Sequence, residues 1–141
     1  MTRHEIRKEI FKAVFSSQFH QDDEIEPIVE GFFEGRSDAD EEDLVKNDKS
    51  EKDEEYVRSK TLDIINKIPQ IDEVINATVD GWKTSRMNKV DLSLIRLAYY
   101  EAKFEDMPVG VAIDEAVGLA DEFGTDSSAN FVNGALAKLL K

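Results

Sequence analysis

The sequence predicts an all-α protein, a compact bundle of about seven helices. Apolar residues recur at spacings of three and four through most of the chain, the period of a helix that is buried on one face. Only three prolines and seven glycines interrupt 141 residues, too few for the many turns of a sandwich or barrel. We therefore expect a single helical domain over residues 1–141.

Two helices are predicted in the first quarter of the chain. Residues 3–19 form the first, with Ile6 and Ile10 on its apolar stripe. A second stripe over residues 25–33 predicts another helix, which Gly35 would end.

The next segment, residues 37–55, is acidic and contains few apolar side chains. Such a composition buries too little apolar surface to offset the entropy of ordering, so we predict a mobile loop. A calcium-binding EF-hand loop starting at Asp38 would require glycine at its sixth position and glutamate at its twelfth. Those positions are Asp43 and Lys49, so the pattern fails.

Five further helices are predicted after Val57. The first should stop at Pro69, because proline lacks an N–H and clashes with the preceding turn. The segment 91–104 is apolar on most sides, which is typical of a central helix. The predicted helices occupy residues 57–68, 71–82, 91–104, 108–123 and 126–139.

Individual residues suggest how these helices begin and pack. Asp91 is a predicted N-cap of the central helix, and Arg96 a predicted ion-pair partner. Thr125 or Asp126 would cap the last helix. The small pair Asn133–Gly134 would allow close packing of helices.

Charge is distributed unevenly along the chain. The formal net charge is −13, which by itself disfavours nucleic acid. Residues 21–56 carry a net charge of −12, whereas residues 1–20 carry four basic and two acidic side chains. The first helix is therefore the basic end of an acidic protein.

No enzyme chemistry is indicated. There is no cysteine, and the two histidines, His4 and His20, have no spacing that pairs them as metal ligands. The glycines form neither a P-loop nor a dinucleotide fingerprint. We expect no catalytic site, no metal and no cofactor.

The sequence also carries no targeting signal. The N-terminus is charged and lacks an apolar signal core, and no apolar run approaches the roughly 20 residues of a membrane span. We expect a cytoplasmic protein that does not contact membranes.

One arc of the first helix combines cations with aromatic rings. At about 100° per residue, Lys8, Arg7 and His4 lie on the same side as three phenylalanines, roughly opposite the Ile6 stripe. Cations neutralise phosphates and rings stack on bases, so this arc suits single-stranded RNA. Alternatively, Phe11, Phe15 and Phe19 widen the buried stripe, and we expect at least one of them in the core.

Several sequence blocks recur in order through the second half of the chain. Trp82 is followed by MNKVDLSLIRLAYYE at residues 87–101, and residues 108–117 read PVGVAIDEAV. FG at 123–124, SS at 127–128 and FVNG at 131–134 complete the series. These blocks resemble, in turn, the central helix, the next helix and the last helix of the bacterial NusB family of transcription antitermination factors, and the first helix is similar more loosely.

This resemblance implies a seven-helix bundle that binds the boxA element of ribosomal RNA leader transcripts. The family does so jointly with the small-subunit ribosomal protein NusE, in a complex that helps RNA polymerase resist termination. The RNA-binding residues that the resemblance implies, together with the basic track before the central helix, are Arg3, Arg7, Lys8, Phe15, Arg86, Lys89, Asn130 and Phe131. Asp80 and Glu101 are candidate contacts for the ribosomal protein.

The sequence departs from the family pattern in three places. The N-terminal helix has fewer arginines than many members, Phe15 replaces a common tyrosine, and Asp114 replaces an asparagine. A protein-interaction module with little RNA affinity is therefore an alternative. An accessory domain of an RNA methyltransferase is a third hypothesis, disfavoured because no cofactor-binding domain accompanies it. The oligomeric state stays open, since an exposed aromatic face would serve RNA or a second copy.

Overall fold

The computed structural model describes residues 2–20, 50–79 and 83–141. They form five α-helices and one 3-10 turn, and no strand occurs among them, so the all-α class is confirmed. The helices are α1 (Arg3–Ser17), α2 (Ser50–Thr78), α3 (Lys89–Phe104), α4 (Val109–Phe123) and α5 (Ser128–Leu140), and the 3-10 turn is Thr84–Arg86. The predicted helix over residues 25–33 lies outside the described residues. None of the described helices is long and apolar enough to cross a membrane.

The chain divides into two compact units, Met1–Ile65 and Asn66–Lys141, and α2 runs through the boundary between them. In the first unit, the buried side of α1 includes Ile10 and Val14, as the sequence predicted. A single domain over residues 1–141 stays a prediction.

The core of the second unit is built by α3, α4 and α5, each of which packs against the other two. All residues from Asp91 to Ala98 are buried, which confirms the prediction of a central helix. The predicted inner faces of the last two helices are also confirmed at Ile113, Ala120 and Val132.

Helix α2 differs from the prediction at Pro69, which lies inside the helix and does not end it. Ile64 and Ile65 before the proline and Ile71 and Ile75 after it are all buried, so one apolar stripe continues in phase. Burying such a side chain contributes about 1.5–3 kcal/mol, so several of them offset the roughly 3 kcal/mol that an interior proline costs. The two helices predicted over 57–68 and 71–82 are therefore one.

Helix α2 also begins earlier than predicted, and residues 50–55 of the predicted acidic loop are helical. Acidic residues Glu51 and Asp53 lie in the first turn, where the helix dipole favours negative charge. Glu55 accepts hydrogen bonds from Arg58 at 3.2 Å and from Ser59 at 3.2 Å. The acidic composition of residues 50–55 therefore predicted a loop wrongly. The rest of the predicted loop, 37–49, lies outside the described residues.

The helix caps differ from those predicted. Asn88 caps α3, because its side-chain oxygen accepts from the Val90 N–H at 2.8 Å, and Asp91 lies one turn inside. Before α5, neither Thr125 nor Asp126 is the cap; the Thr125 N–H instead donates to the buried Ser128 Oγ at 2.9 Å.

The predicted ion pair of Arg96 is confirmed. Its Nε donates to one carboxylate oxygen of Asp72 at 2.9 Å, and its Nη2 donates to the other at 2.7 Å. This two-pronged contact fixes α2 to α3 within the second unit.

Candidate nucleic-acid interface

Helix α1 carries the first group of candidate residues. Thr2 caps it, since the Glu5 N–H donates to Thr2 Oγ1 at 3.1 Å. Arg3 lies exposed in the first turn and Lys8 is half-buried. The helix therefore presents cations near its N-terminal end, beside the negative side chain of Glu5.

The structure corrects the predicted arc at two positions. Arg7 is 8% exposed and Phe11 is 2% exposed, so both lie on the buried face with Ile10 and Val14. The expectation that at least one of the three phenylalanine rings belongs to the core is confirmed by Phe11. Because Arg7 is buried, its guanidinium is poorly placed for direct contact with a phosphate.

The accessible arc of α1 consists of Lys8, Lys12, Phe15 and Phe19, which recur at intervals of four, three and four. At about 100° per residue these positions fall within a narrow sector of the helix. Lys8, Lys12 and Phe15 are half-buried, whereas Phe19, just beyond the helix end, is 58% exposed. We call these four residues the Lys–Phe arc.

The rings of α1 contact one another in sequence. The Phe11 and Phe15 ring centroids are 6.1 Å apart, and those of Phe15 and Phe19 are 5.2 Å apart. The second pair is edge-to-face, with 77° between the ring planes. The contacts thus run from the buried Phe11 to the exposed Phe19.

The second group of candidates lies in the unit Asn66–Lys141. Arg86 and Lys89 are exposed on either side of the Asn88 cap, at the beginning of α3. Asn130 is exposed and Phe131 half-buried in the first turn of α5. Both pairs lie near helix N-termini, where the backbone dipole favours an anion such as phosphate.

The 3-10 turn before Lys89 is held by Asn76. Its Oδ1 accepts from the Thr84 N–H at 2.8 Å, and its Nδ2 donates to Thr84 Oγ1 at 3.4 Å. This contact with α2 positions Arg86. Asn76 and Thr84 are too far apart in the sequence for a local pattern to predict their contact.

The two candidate contacts for a protein partner have different outcomes. Asp80 lies outside the described residues. Glu101 is 1% exposed, so its side chain is buried in this structure. The sequence did not predict this burial, because a glutamate on a helix is ordinarily exposed.

The described residues offer no grouped metal ligands. Within residues 2–20, 50–79 and 83–141, no three histidine, aspartate or glutamate side chains are arranged to hold a metal ion. Within each unit taken by itself, the candidate side chains are of types that suit phosphates and bases.

Comparison with known proteins identifies the family. The NusB family model matches residues 4–141. The transcription antitermination protein NusB of Lachnoclostridium phytofermentans is 40% identical over 141 residues, covering 99% of each chain. The protein of the same name from Agathobacter rectalis is 41% identical over 143 residues, covering 98% of each chain. The solved structure of T. maritima NusB superposes with a TM-score of 0.79 at 34% identity, covering 99% of this chain and 90% of the other. This chain belongs to the NusB family.

Proposed function

We propose that this protein is a transcription antitermination factor that binds boxA RNA of ribosomal RNA leader transcripts together with the ribosomal protein NusE. The antitermination role is supported by the family and by relatives that carry that name. The boxA and NusE assignments rest on the resemblance described above. The protein would act in the cytoplasm, within the antitermination complex of RNA polymerase, and without enzymatic activity.

The observation that carries the RNA assignment is the accessible Lys–Phe arc on α1. Lys8 and Lys12 would neutralise phosphates, with Arg3 adding charge at the first turn, and the Phe15 ring would stack on a base. Arg7 would stabilise α1 from the buried side of the helix. In a protein of net charge −13, a basic surface beside aromatic rings favours an anionic, base-bearing ligand.

The second group, in the unit Asn66–Lys141, would supply RNA contacts of its own. Arg86 and Lys89 supply charge, and Asn130 carries an amide that can read base edges by hydrogen bonding. Phe131 is half-buried, and its ring would contact a base.

The acidic remainder of the chain would attract the ribosomal protein. That partner's class is basic, so its association with a protein of net charge −13 is electrostatically favourable. Asp80 remains a proposed contact, whereas Glu101 would act only by supporting α3 from within.

A protein-interaction module with little RNA affinity is the second candidate function. The burial of Arg7 favours it, since that removes one cation from an already weakly basic helix. The two candidates differ in a measurable way, because only the first requires RNA to bind.

The deciding experiment is fluorescence anisotropy with a labelled boxA-type RNA, with and without the ribosomal protein. We expect binding that strengthens when the ribosomal protein is added, and calorimetry should give tighter binding to that protein than to RNA alone. No RNA binding in either condition would favour the interaction module. No complex with the ribosomal protein at tens of micromolar, about −6 kcal/mol, would contradict the partner assignment. Sedimentation of the protein alone tests whether it forms a homodimer.

A further inference from the structure

We propose that Phe19 is a second base-stacking ring and that Lys12 contacts the adjoining phosphate, so that α1 holds two successive nucleotides. This inference rests on the proposed RNA-binding function and adds a second stacking ring, which the residues implied by the family resemblance do not include, paired with the phosphate that Lys12 would contact. It concerns only the first unit, Met1–Ile65.

The first argument is the graded exposure of the three rings. Phe11 is fixed in the core, Phe15 is half-buried against it, and Phe19 is mostly exposed. The edge-to-face contact at 5.2 Å orients Phe19 through Phe15. A base that stacks on Phe19 therefore meets a ring that is already positioned, which lowers the entropic cost of binding.

The second argument is the angle between the rings. With 77° between the planes of Phe15 and Phe19, two bases stacked on them cannot remain parallel to each other. The arc would therefore hold a strand whose two bases are splayed apart. Single-stranded RNA allows this arrangement, whereas a duplex does not without unpairing.

The third argument is the position of the lysines. Lys8 and Lys12 are four residues apart, about 6 Å along the helix, and both precede the two rings on the same sector. Lys12 lies about one turn before Phe15, so a strand that stacks on the rings would bring a neighbouring phosphate to this lysine.

The test compares Phe19→Ala, Phe19→Trp and Tyr56→Ala in the full chain, using a labelled single-stranded boxA-type RNA with the ribosomal protein present. Phe19→Ala should weaken RNA binding about 5- to 100-fold through lost stacking, with an unchanged salt dependence. Phe19→Trp should preserve binding, because a larger ring stacks at least as well. Tyr56 is the matched control, an exposed ring on α2 at 46%, and its replacement should leave affinity unchanged.

A second series separates the phosphate contact from the stacking contact. Lys12→Ala should reduce the slope of log affinity against log salt by about 0.7, as expected for one phosphate on a single strand. Circular dichroism melts of each variant establish that the fold is retained.

The possible outcomes separate this inference from the proposed function. If the wild type binds RNA and Phe19→Ala binds equally well, the second stacking site is wrong while the proposed function stands. If the wild type binds no RNA, both are overturned. If Phe19→Ala changes only sedimentation of the free protein, the ring belongs to a contact between copies and the inference fails.

Discussion

At the scale of single residues, the contact between Arg96 and Asp72 ties two helices of the second unit together. Both guanidinium bonds go to one carboxylate, and the two side chains are 9% and 21% exposed. Removing one partner would leave a mostly buried charge without its counter-ion, which is more costly than the pair itself is stabilising. The pair therefore specifies how α2 and α3 meet in this unit.

Asp72→Ala should lower the free energy of unfolding by about 3 kcal/mol, because Arg96 stays buried without its carboxylate. Glu73→Ala is the matched control on the next, exposed residue and should change stability by less than about 0.5 kcal/mol. Urea unfolding of both variants gives the comparison. Equal stabilities would mean that the ion pair contributes nothing.

Two glycines show how the same substitution can have opposite effects. A Cβ built on Gly124 would lie 2.5 Å from Ser128 Cβ and 2.8 Å from the Ala120 carbonyl oxygen. A Cβ on Gly134 would meet nothing within 4 Å, and Gly134 is exposed. The predicted role of Asn133–Gly134 in close helix packing is therefore wrong, and the close approach occurs at Gly124.

Gly124→Ala should destabilise the protein by about 1–3 kcal/mol, since Ser128 is buried and held by its hydrogen bond to Thr125. Gly134→Ala should stabilise it by about 0.5–1 kcal/mol, because alanine favours a helix interior. Thermal melts of the two variants should shift in opposite directions. A gain in stability for Gly124→Ala would contradict the packing described here.

At the scale of helices, α2 keeps a proline where a helix would ordinarily end. Pro69 is exposed, and it leaves the Ile65 carbonyl without the usual bond from a backbone N–H four residues on. The buried isoleucines on both sides hold the helix together.

Pro69→Ala should therefore raise the free energy of unfolding, by about 1–3 kcal/mol. The gain is limited because proline also restricts the unfolded chain. Gln70→Ala, at the next exposed position, is the control and should have a small effect. A loss of stability in Pro69→Ala, measured by urea unfolding, would mean that the proline fits a bend that the helix needs.

Two basic residues of α1, Lys8 and Arg7, should have different roles. Lys8→Ala should weaken RNA binding and lower the salt slope by about 0.7, because the side chain is accessible to phosphate. Arg7→Ala should mainly lower stability, because that side chain is buried. Anisotropy across a salt series, read beside melting curves, distinguishes the two. An unchanged melting curve with a lower slope for Arg7→Ala would return Arg7 to the RNA surface.

At the scale of the whole molecule, the sequence predicted the fold class and the central helix because both follow from the period of apolar residues. The sequence could not predict which phenylalanines of α1 are buried and which are exposed, since Phe11, Phe15 and Phe19 lie within a sector of about 80°. Which of them is buried depends on what packs against the helix. The burial of Arg7 and Glu101 was missed for the same reason, because it too depends on the packing around each helix.

The net charge of the molecule should govern how fast the proposed complex forms. A chain of net charge −13 should attract its proposed partner, a basic ribosomal protein, over distances comparable with the Debye length, roughly 14 Å at 50 mM salt and 4 Å at 500 mM. The association rate constant should therefore fall about tenfold or more between these salt concentrations, while the dissociation rate changes less. Stopped-flow mixing of the two proteins measures both constants. An association rate that is independent of salt would show that the partner recognises this protein through short-range contacts alone.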